Sequence, residues 1–143
     1  MIVAYRHTGV NVTDMASTLA FYEGLLGLVV IERRTEHGTY IDALTGLSDV
    51  TLDWVKVGAP NGVLVELVKF WSPDHARSSS QRDYATIGCN HLCFQVDAAE
   101  ALYATLTAAG VRCHSVQTDP PGRVKNFACY DPNGTIVELV EVL

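Results

Sequence analysis

The hydrophobic and polar positions change period along the chain, and each period predicts one element. An alternating stretch from His7 to Val12 predicts a strand. From Asp14 to Gly27 the apolar residues recur at helical spacing, which predicts a helix. Three further strands are predicted over residues 28–36, 50–58 and 63–70. The order of elements is therefore strand, helix and three strands.

The second half of the chain repeats this order. A strand is predicted from His91 to Val96, and a helix is predicted from Asp97 to Gly110. In both halves an Asp stands where its side chain can cap the start of the helix, and a Gly stands where the helix end needs a left-handed residue. Strands follow over residues 111–117, 126–130 and 135–141.

The chain also contains a close internal repeat. Residues 60–68 read Pro-Asn-Gly-Val-Leu-Val-Glu-Leu-Val, and residues 132–140 differ only at the two positions after Gly. Such a turn before an apolar run is typical of a tight connection into a strand. Residues 43–49 interrupt the first copy and are predicted to form a lid loop.

From the repeated order of elements we predict an α+β fold of two tandem βαβββ modules in one domain. The boundaries are a domain over residues 1–143, a first module over 1–70, a linker over 71–87 and a second module over 88–143.

Composition and charge exclude several classes of protein. The 143 residues are 48% hydrophobic and 18% charged, which is typical of a globular domain rather than a disordered chain. The formal net charge of -6 argues against a nucleic-acid partner, because such proteins neutralise phosphates with a basic face. No apolar stretch approaches the roughly 20 residues that span a membrane, and no secretory leader is recognisable. A cytoplasmic protein is expected.

The four cysteines contain no Cys-x-x-Cys pair and are predicted to be reduced. Cys89 and Cys93 flank His91 at two-residue steps, so they are expected to share its strand face. A thiolate metal ligand at one of these positions is the alternative to the usual role of free Cys as a small buried residue.

Each module carries a His on its first strand and a Glu on its last strand. The pairs are His7 with Glu66, and His91 with Glu138. Each Glu stands inside an otherwise apolar strand, and a carboxylate that lines a cleft needs a cation or strong donors. A solvent-facing Glu is the alternative. The repeated pairing favours a cation, and two imidazoles with two carboxylates suit Zn²⁺, Ni²⁺, Co²⁺, Mn²⁺ or Fe²⁺.

Three stretches together resemble a known family over nearly the whole chain. They are His7 to Gly27, with its Ala-Phe-Tyr and Leu-Leu-Gly motifs, His91 to Asp97, and Asp131 to Leu139. The family is the vicinal oxygen chelate superfamily, which includes glyoxalase I, methylmalonyl-CoA epimerase, extradiol dioxygenases, fosfomycin-resistance enzymes and bleomycin-binding proteins. The resemblance implies a curved mixed sheet, or half-open barrel, around a metal-binding cleft. It implies metal ligands at His7, Glu66, His91 and Glu138.

The resemblance also implies a class of reaction. Glu residues in both modules resemble the glyoxalase I and epimerase branch, which implies a metal-dependent lyase, isomerase or epimerase that acts on a small molecule. Glu138, or its counterpart Glu66, is the candidate base that removes a proton next to a carbonyl. The apolar faces and the resemblance together indicate a homodimer. The alternatives are an extradiol-type dioxygenase, which needs only two His and one Glu, and a metal-free antibiotic-binding protein.

A basic loop near the end of the chain offers candidates for substrate binding. Arg123 and Lys125 follow a Pro-Pro-Gly turn, and a basic loop beside a cleft can hold a carboxylate or phosphate. Two solvated side chains on an exposed loop are the alternative.

Overall fold

In the described residues, each half of the chain forms a four-stranded mixed sheet. The structure is a computed structural model that describes residues 1–60, 62, 64–73, 84–85 and 87–143. It divides into two units, Met1–Arg77 and Ser78–Leu143, and each unit has its own sheet. Among the helices of these described residues, none combines the length and hydropathy needed to cross a membrane.

The first unit follows the predicted order, with a second helix inserted. Its elements are β1 (Thr8–Asn11), α1 (Met15–Leu19), which continues as a π-helix over Ala20–Leu25, β2 (Val29–His37), α2 (Thr39–Thr45), β3 (Thr51–Gly58) and β4 (Leu64–Ser72). The strand order in the sheet is β1-β4-β3-β2. The first and last strands, β1 and β4, pair in parallel, and the other pairs are antiparallel.

The second unit has the same topology. Its elements are β5 (His91–Val96), α3 (Ala99–Ala108), β6 (Gln117–Thr118), β7 (Val124–Tyr130) and β8 (Ile136–Val142). The strand order is β5-β8-β7-β6, and β5 and β8 again pair in parallel. The predicted α+β class with two tandem modules is therefore confirmed. Hydrogen bonding within the described residues divides the strands into two sheets of four.

The predicted linker over residues 71–87 is only partly described. Residues 71–72 belong to β4, which extends past the predicted end of the first module. Residues 74–83 and 86 lie outside the described residues, as do positions 61 and 63 of the repeated motif.

Strand alternation places the apolar core on one face of each sheet. Val65 and Leu67 of β4 and Val137 and Leu139 of β8 are at most 2% exposed. Burying one such side chain contributes about 1.5 to 3 kcal/mol. A one-residue slip in register would exchange the two faces and lose this burial, so the register is strongly specified. The Glu between the two members of each pair consequently lies on the other face.

The ends of the first helix match the prediction. Asp14 is the N-cap residue of α1, and its Oδ1 accepts the backbone N–H of Ser17 at 2.7 Å. This bond satisfies a donor that has no partner within the helix. Gly27 and Gly110 follow the first and last helices with φ angles of 73° and 80°, which is the predicted left-handed conformation.

The predicted cap of the last helix is wrong. Ala98, not Asp97, is the N-cap residue of α3, and its side chain makes no capping bond. The carboxylate of Glu141 on β8 takes this role and accepts the N–H of Ala99 at 2.9 Å. The substitute partner lies 42 residues along the chain, so local sequence could not identify it.

Two other predicted segments differ in the structure. The lid loop over residues 43–49 begins inside helix α2, which ends at Thr45. The Asp42 carboxylate then accepts the N–H groups of Asp49 and Val50 and fixes the following turn. A helix of seven residues is too short to give a periodic signal.

The strand predicted over residues 111–117 is also shorter than expected. Only Gln117–Thr118 forms a ladder with β7, and Cys113 makes an isolated antiparallel bridge to Cys129. Alternation indicates which way side chains point, but it does not indicate where hydrogen bonding to a neighbour is continuous.

Candidate functional site

Parallel pairing of β1 with β4 brings His7 to Glu66. Gly9 is the register partner of Glu66, and His7 lies two residues before Gly9. Register partners share a face, as do residues two positions apart, so the imidazole and the carboxylate lie on the same side of the sheet. The His7 Nε2 atom is 3.1 Å from Glu66 Oε2, and both side chains are half-buried.

A lysine binds the other oxygen of Glu66. Lys56 on β3 is the register partner of Glu66, and its Nζ lies 3.4 Å from Oε1. The ammonium group also lies 4.2 Å from the centre of the Trp54 ring, in a cation–π contact. The Lys56 side chain is only 16% exposed. The first unit therefore holds Glu66 between an imidazole and a partly buried cation.

The second unit repeats the His–Glu pair with different neighbours. Cys93 of β5 is the register partner of Glu138, and His91 lies two residues before it. The His91 Nε2 atom is 3.7 Å from Glu138 Oε2. The other oxygen, Oε1, accepts a hydrogen bond from the Asn126 amide at 3.0 Å. Ala128 is the register partner of Glu138 on β7, so it occupies the position that corresponds to Lys56.

Hydrogen bonds on the far side of His91 fix its tautomer. The Asn90 amide nitrogen donates to the backbone carbonyl of Tyr84 at 2.8 Å, so the amide oxygen points to His91 Nδ1, 2.6 Å away. Because an amide oxygen only accepts, Nδ1 carries a proton, and in the neutral imidazole Nε2 then presents a lone pair. This is the arrangement of a metal-binding His, whose other ring nitrogen donates to a fixed acceptor.

The groups next to Glu138 are neutral. Partial burial, and then the charge of Glu138, raise the pKa of the Cys93 thiol. The same two causes raise the pKa of the Tyr84 phenol. A metal ligand must be a thiolate, whereas this thiol is protonated near neutral pH. The structure thus pairs Glu138 with His91, and Cys93 is an uncharged neighbour.

The structure brings the predicted ligands together as two separate pairs, His7 with Glu66 and His91 with Glu138. Within the described ranges, no group of three or more His, Cys, Asp or Glu side chains lies close enough to hold a metal ion. Each unit contributes one imidazole and one carboxylate. The convergence of all four side chains on one cation stays a prediction.

The two predicted substrate-binding residues differ in their contacts. The Lys125 ammonium lies 2.9 Å from Glu100 Oε1, which ties β7 to α3. This contact with Glu100 also raises the pKa of Lys125. The Arg123 side chain is 79% exposed, and its Nε is 3.9 Å from Asp119. Of the two, Arg123 has the weaker protein contact.

Three residues of the site were not predicted from the sequence. Lys56 carried a usable signal, because a charged residue inside the apolar run of β3 is the same anomaly that singled out Glu66. Asn90 and Asn126 carried none, since a polar amide is common in a loop or at the start of a predicted strand, which is where the sequence placed them. Their roles depend on hydrogen bonds that only the folded chain defines.

Comparison with protein families and solved structures gives a consistent fold. The model of the glyoxalase/bleomycin resistance protein/dioxygenase superfamily matches residues 4–139. No curated protein sequence matches the chain significantly. A glyoxalase family protein from Bacillus cereus is 18% identical with a TM-score of 0.92, and the match covers 100% of this chain and 96% of that chain.

Two further solved structures have more specific names. The fosfomycin resistance protein FosX from Listeria monocytogenes is 17% identical with a TM-score of 0.68, over 100% of this chain and 96% of that chain. It is also known in complex with Mn(II) and sulfate. TnmS3, an antibiotic binding protein from Streptomyces sp., is 19% identical with a TM-score of 0.67, over 99% and 98% of the two chains. At these identities the likeness shows the fold alone.

The geometry predicts the tautomer of His91. In metal-free protein at mildly alkaline pH, long-range ¹H–¹⁵N NMR of the neutral His91 imidazole should show the proton on Nδ1. Asn90→Ala should shift the population toward the Nε2–H form, because the acceptor is removed. His37, which lies exposed at the end of β2, serves as the internal reference. A wild-type His91 that carries its proton on Nε2 would contradict the assignment.

Proposed function

Because the chain belongs to the glyoxalase/bleomycin resistance protein/dioxygenase superfamily, we propose that it is a divalent-cation-dependent lyase or isomerase. It moves a proton at the carbon next to a carbonyl of a small molecule. The proposed cation is Zn²⁺, Ni²⁺, Co²⁺, Mn²⁺ or Fe²⁺. The proposed ligands are His7, Glu66, His91 and Glu138.

The contact between His91 and Glu138 carries the proposal. Asn90 holds the proton on Nδ1, so the lone pair of Nε2 and the carboxylate of Glu138 face each other at 3.7 Å. Two facing acceptors repel each other unless a positive charge lies between them. A second proton on the imidazole is one such charge, but charge-assisted hydrogen bonds are about 2.7 to 2.9 Å long. The wider spacing favours a metal ion.

The distances and the donor set both fit a cation. Two donors that are each about 2.0 to 2.2 Å from one metal lie roughly 3 to 4 Å apart. The His7–Glu66 distance of 3.1 Å and the His91–Glu138 distance of 3.7 Å fall in that range. Two imidazoles and two carboxylates suit an octahedral first-row metal with positions left for substrate oxygens.

The bound cation would polarise the substrate carbonyl and stabilise the negative charge that develops beside it. The chain itself must supply the base, and Glu138 is the better candidate. Its Oε1 is held by the neutral Asn126 amide, so it can accept a proton without losing an ion pair. Glu66 would lose its contact with the Lys56 ammonium. This asymmetry favours Glu138 over Glu66 as the base and favours a binding role for Glu66.

Substrate recognition is proposed to involve an anion contact. Arg123 is largely exposed and has only a 3.9 Å contact with Asp119, so its guanidinium is available for a carboxylate or phosphate. Lys125 must first give up its contact with Glu100. Arg123 is therefore the stronger of the two candidates.

The Lys56–Glu66 ion pair favours two alternatives. It gives Glu66 a structural role, and a site of His7, His91 and Glu138 would then match the two-His, one-carboxylate set of Fe²⁺ dioxygenases. The ion pair also gives the Glu66 carboxylate a positive partner, the Lys56 ammonium, so a metal-free binding protein would not need a metal ion at this residue. An assay with catechols, Fe²⁺ and O₂ tests for the dioxygenase. The metal content of the purified protein tests for the metal-free binding protein.

Metal titration tests the role of Lys56. The ammonium group competes for Glu66 and repels a dication, so Lys56→Met should tighten binding of Co²⁺ or Zn²⁺ by about tenfold. Isothermal titration calorimetry should show one ion per chain in wild type and variant. Lys69→Met is the matched control, because Lys69 also stacks on a tryptophan, Trp71. Unchanged affinity in Lys56→Met would count against Glu66 as a metal ligand, and no stoichiometric binding at all would count against the metal site.

Solvent exchange tests the base. Glu138→Gln keeps the volume but removes the proton acceptor, so α-proton exchange in D₂O should fall by on the order of 10²-fold. The exchange rate of Glu66→Gln should fall by less, when both variants are compared at saturating metal. Suitable substrates are α-hydroxy ketones, hemithioacetals and 2-substituted acyl thioesters. Oxygen uptake with catechols in the absence of exchange would favour the dioxygenase.

The assembly is proposed to be a homodimer. Light scattering at micromolar concentration should give twice the chain mass of 15.6 kDa. A single species of monomer mass at that concentration would reject the dimer.

A further inference from the structure

Cys113 and Cys129 face each other across two antiparallel segments. The His114 N–H donates to the Ala128 carbonyl, and the Tyr130 N–H donates to the Arg112 carbonyl. Hydrogen bonds in this flanking pattern define a non-hydrogen-bonded pair, in which opposite side chains approach most closely. The Cα atoms of such a pair lie about 4.5 Å apart, which is inside the roughly 4.4 to 6.8 Å range of disulfides.

The two thiols are in contact but are unequally accessible. A hydrogen bond joins them, and the Cys113 thiol also contacts the Val111 carbonyl at 3.5 Å. Cys129 is completely buried, whereas Cys113 is half-buried. One sulfur can therefore be reached from solvent, and the other can be reached only from the first.

We propose that Cys113 and Cys129 form a reversible disulfide when the protein meets a small-molecule disulfide such as oxidised glutathione. The site is separate from the His–Glu pairs and does not depend on the proposed function. It lies in the second unit, between β7 and the segment that precedes β6.

The disulfide forms in two thiol–disulfide exchange steps. The Cys113 thiolate attacks one sulfur of oxidised glutathione, forms a mixed disulfide and releases glutathione, which takes the proton that Cys113 lost. The Cys129 sulfur then attacks the Cys113 sulfur, loses its proton and releases the second glutathione as a thiol. The two protein thiols are oxidised by two electrons, and one molecule of oxidised glutathione is reduced to two of glutathione.

The electrostatics set the order of the two steps. Burial, and then the neighbouring Cys113, raise the pKa of Cys129 to about 12. Burial also raises the pKa of Cys113, but the hydrogen bond from Cys129 opposes this shift. Since only thiolates attack disulfides, the accessible Cys113 reacts first. The initial rate should rise roughly tenfold from about pH 7 to pH 8, because the thiolate fraction of Cys113 increases in that range.

The bond would close a loop that contains the β6–β7 hairpin and Asn126. Closing a loop of this length restricts the unfolded chain, so oxidation should raise the Tm of the protein by roughly 5 °C or more. Cys89 and Cys93 differ from this pair in their surroundings, because both are exposed and Cys93 lies next to Glu138.

The test is to incubate the full chain with oxidised glutathione and map it without reduction. Trypsin places Cys113 in the peptide 113–123 and Cys129 in the peptide 126–143, each with a single cysteine. Mass spectrometry should find these two peptides joined, with the loss of two hydrogen atoms. Dithiothreitol should separate them and reverse the rise in Tm.

Two serine variants complete the experiment. Cys113→Ser should abolish both the cross-link and the shift in Tm, and Cys89→Ser should retain both. Glutathione that remains on Cys113 without release would overturn the proposal. The same holds for a cross-link that joins Cys113 residues of two chains, or for wild-type protein whose Tm does not change.

Discussion

Parallel hydrogen bonding between the first and last strands of each unit positions the candidate site. The pairing of β1 with β4, and of β5 with β8, places each His two residues from the partner of a Glu. The buried valines and leucines on the opposite face hold the register, because a slip of one residue would expose them. The position of the polar site is thus enforced by the apolar core behind it.

The two copies of the module have diverged around this shared geometry. The position opposite Glu66 is Lys56, and the position opposite Glu138 is Ala128. Glu138 is held instead by the amide of Asn126. One carboxylate therefore has a lysine ammonium as partner within its own unit, and the other has a neutral amide and an imidazole as partners. Such a difference separates the binding and reactive roles that two equivalent carboxylates would share.

Much of this arrangement was predictable from the sequence. Periodicity and the repeated Pro-Asn-Gly-x-x-Val-Glu-Leu-Val motif identified the modules and both His–Glu pairs. The sequence could not predict contacts between distant positions. The cap that Glu141 gives to α3, the Asn90 bond to the Tyr84 carbonyl that turns the amide oxygen toward His91, and the Lys125–Glu100 contact all join residues whose proximity exists only after folding.

The Trp54 ring beside Lys56 makes the first pair optically observable. Its indole N–H contacts Glu36 at 3.4 Å, and its face carries the ammonium that binds Glu66. Any ligand that draws Glu66 away from Lys56 will alter the charge over this ring and thus its fluorescence emission. Trp71 is the second indole of the chain and lies at the exposed end of β4. In a Trp71→Phe variant, Trp54 is the single tryptophan of the protein, and its fluorescence reports whether a ligand is bound at Glu66.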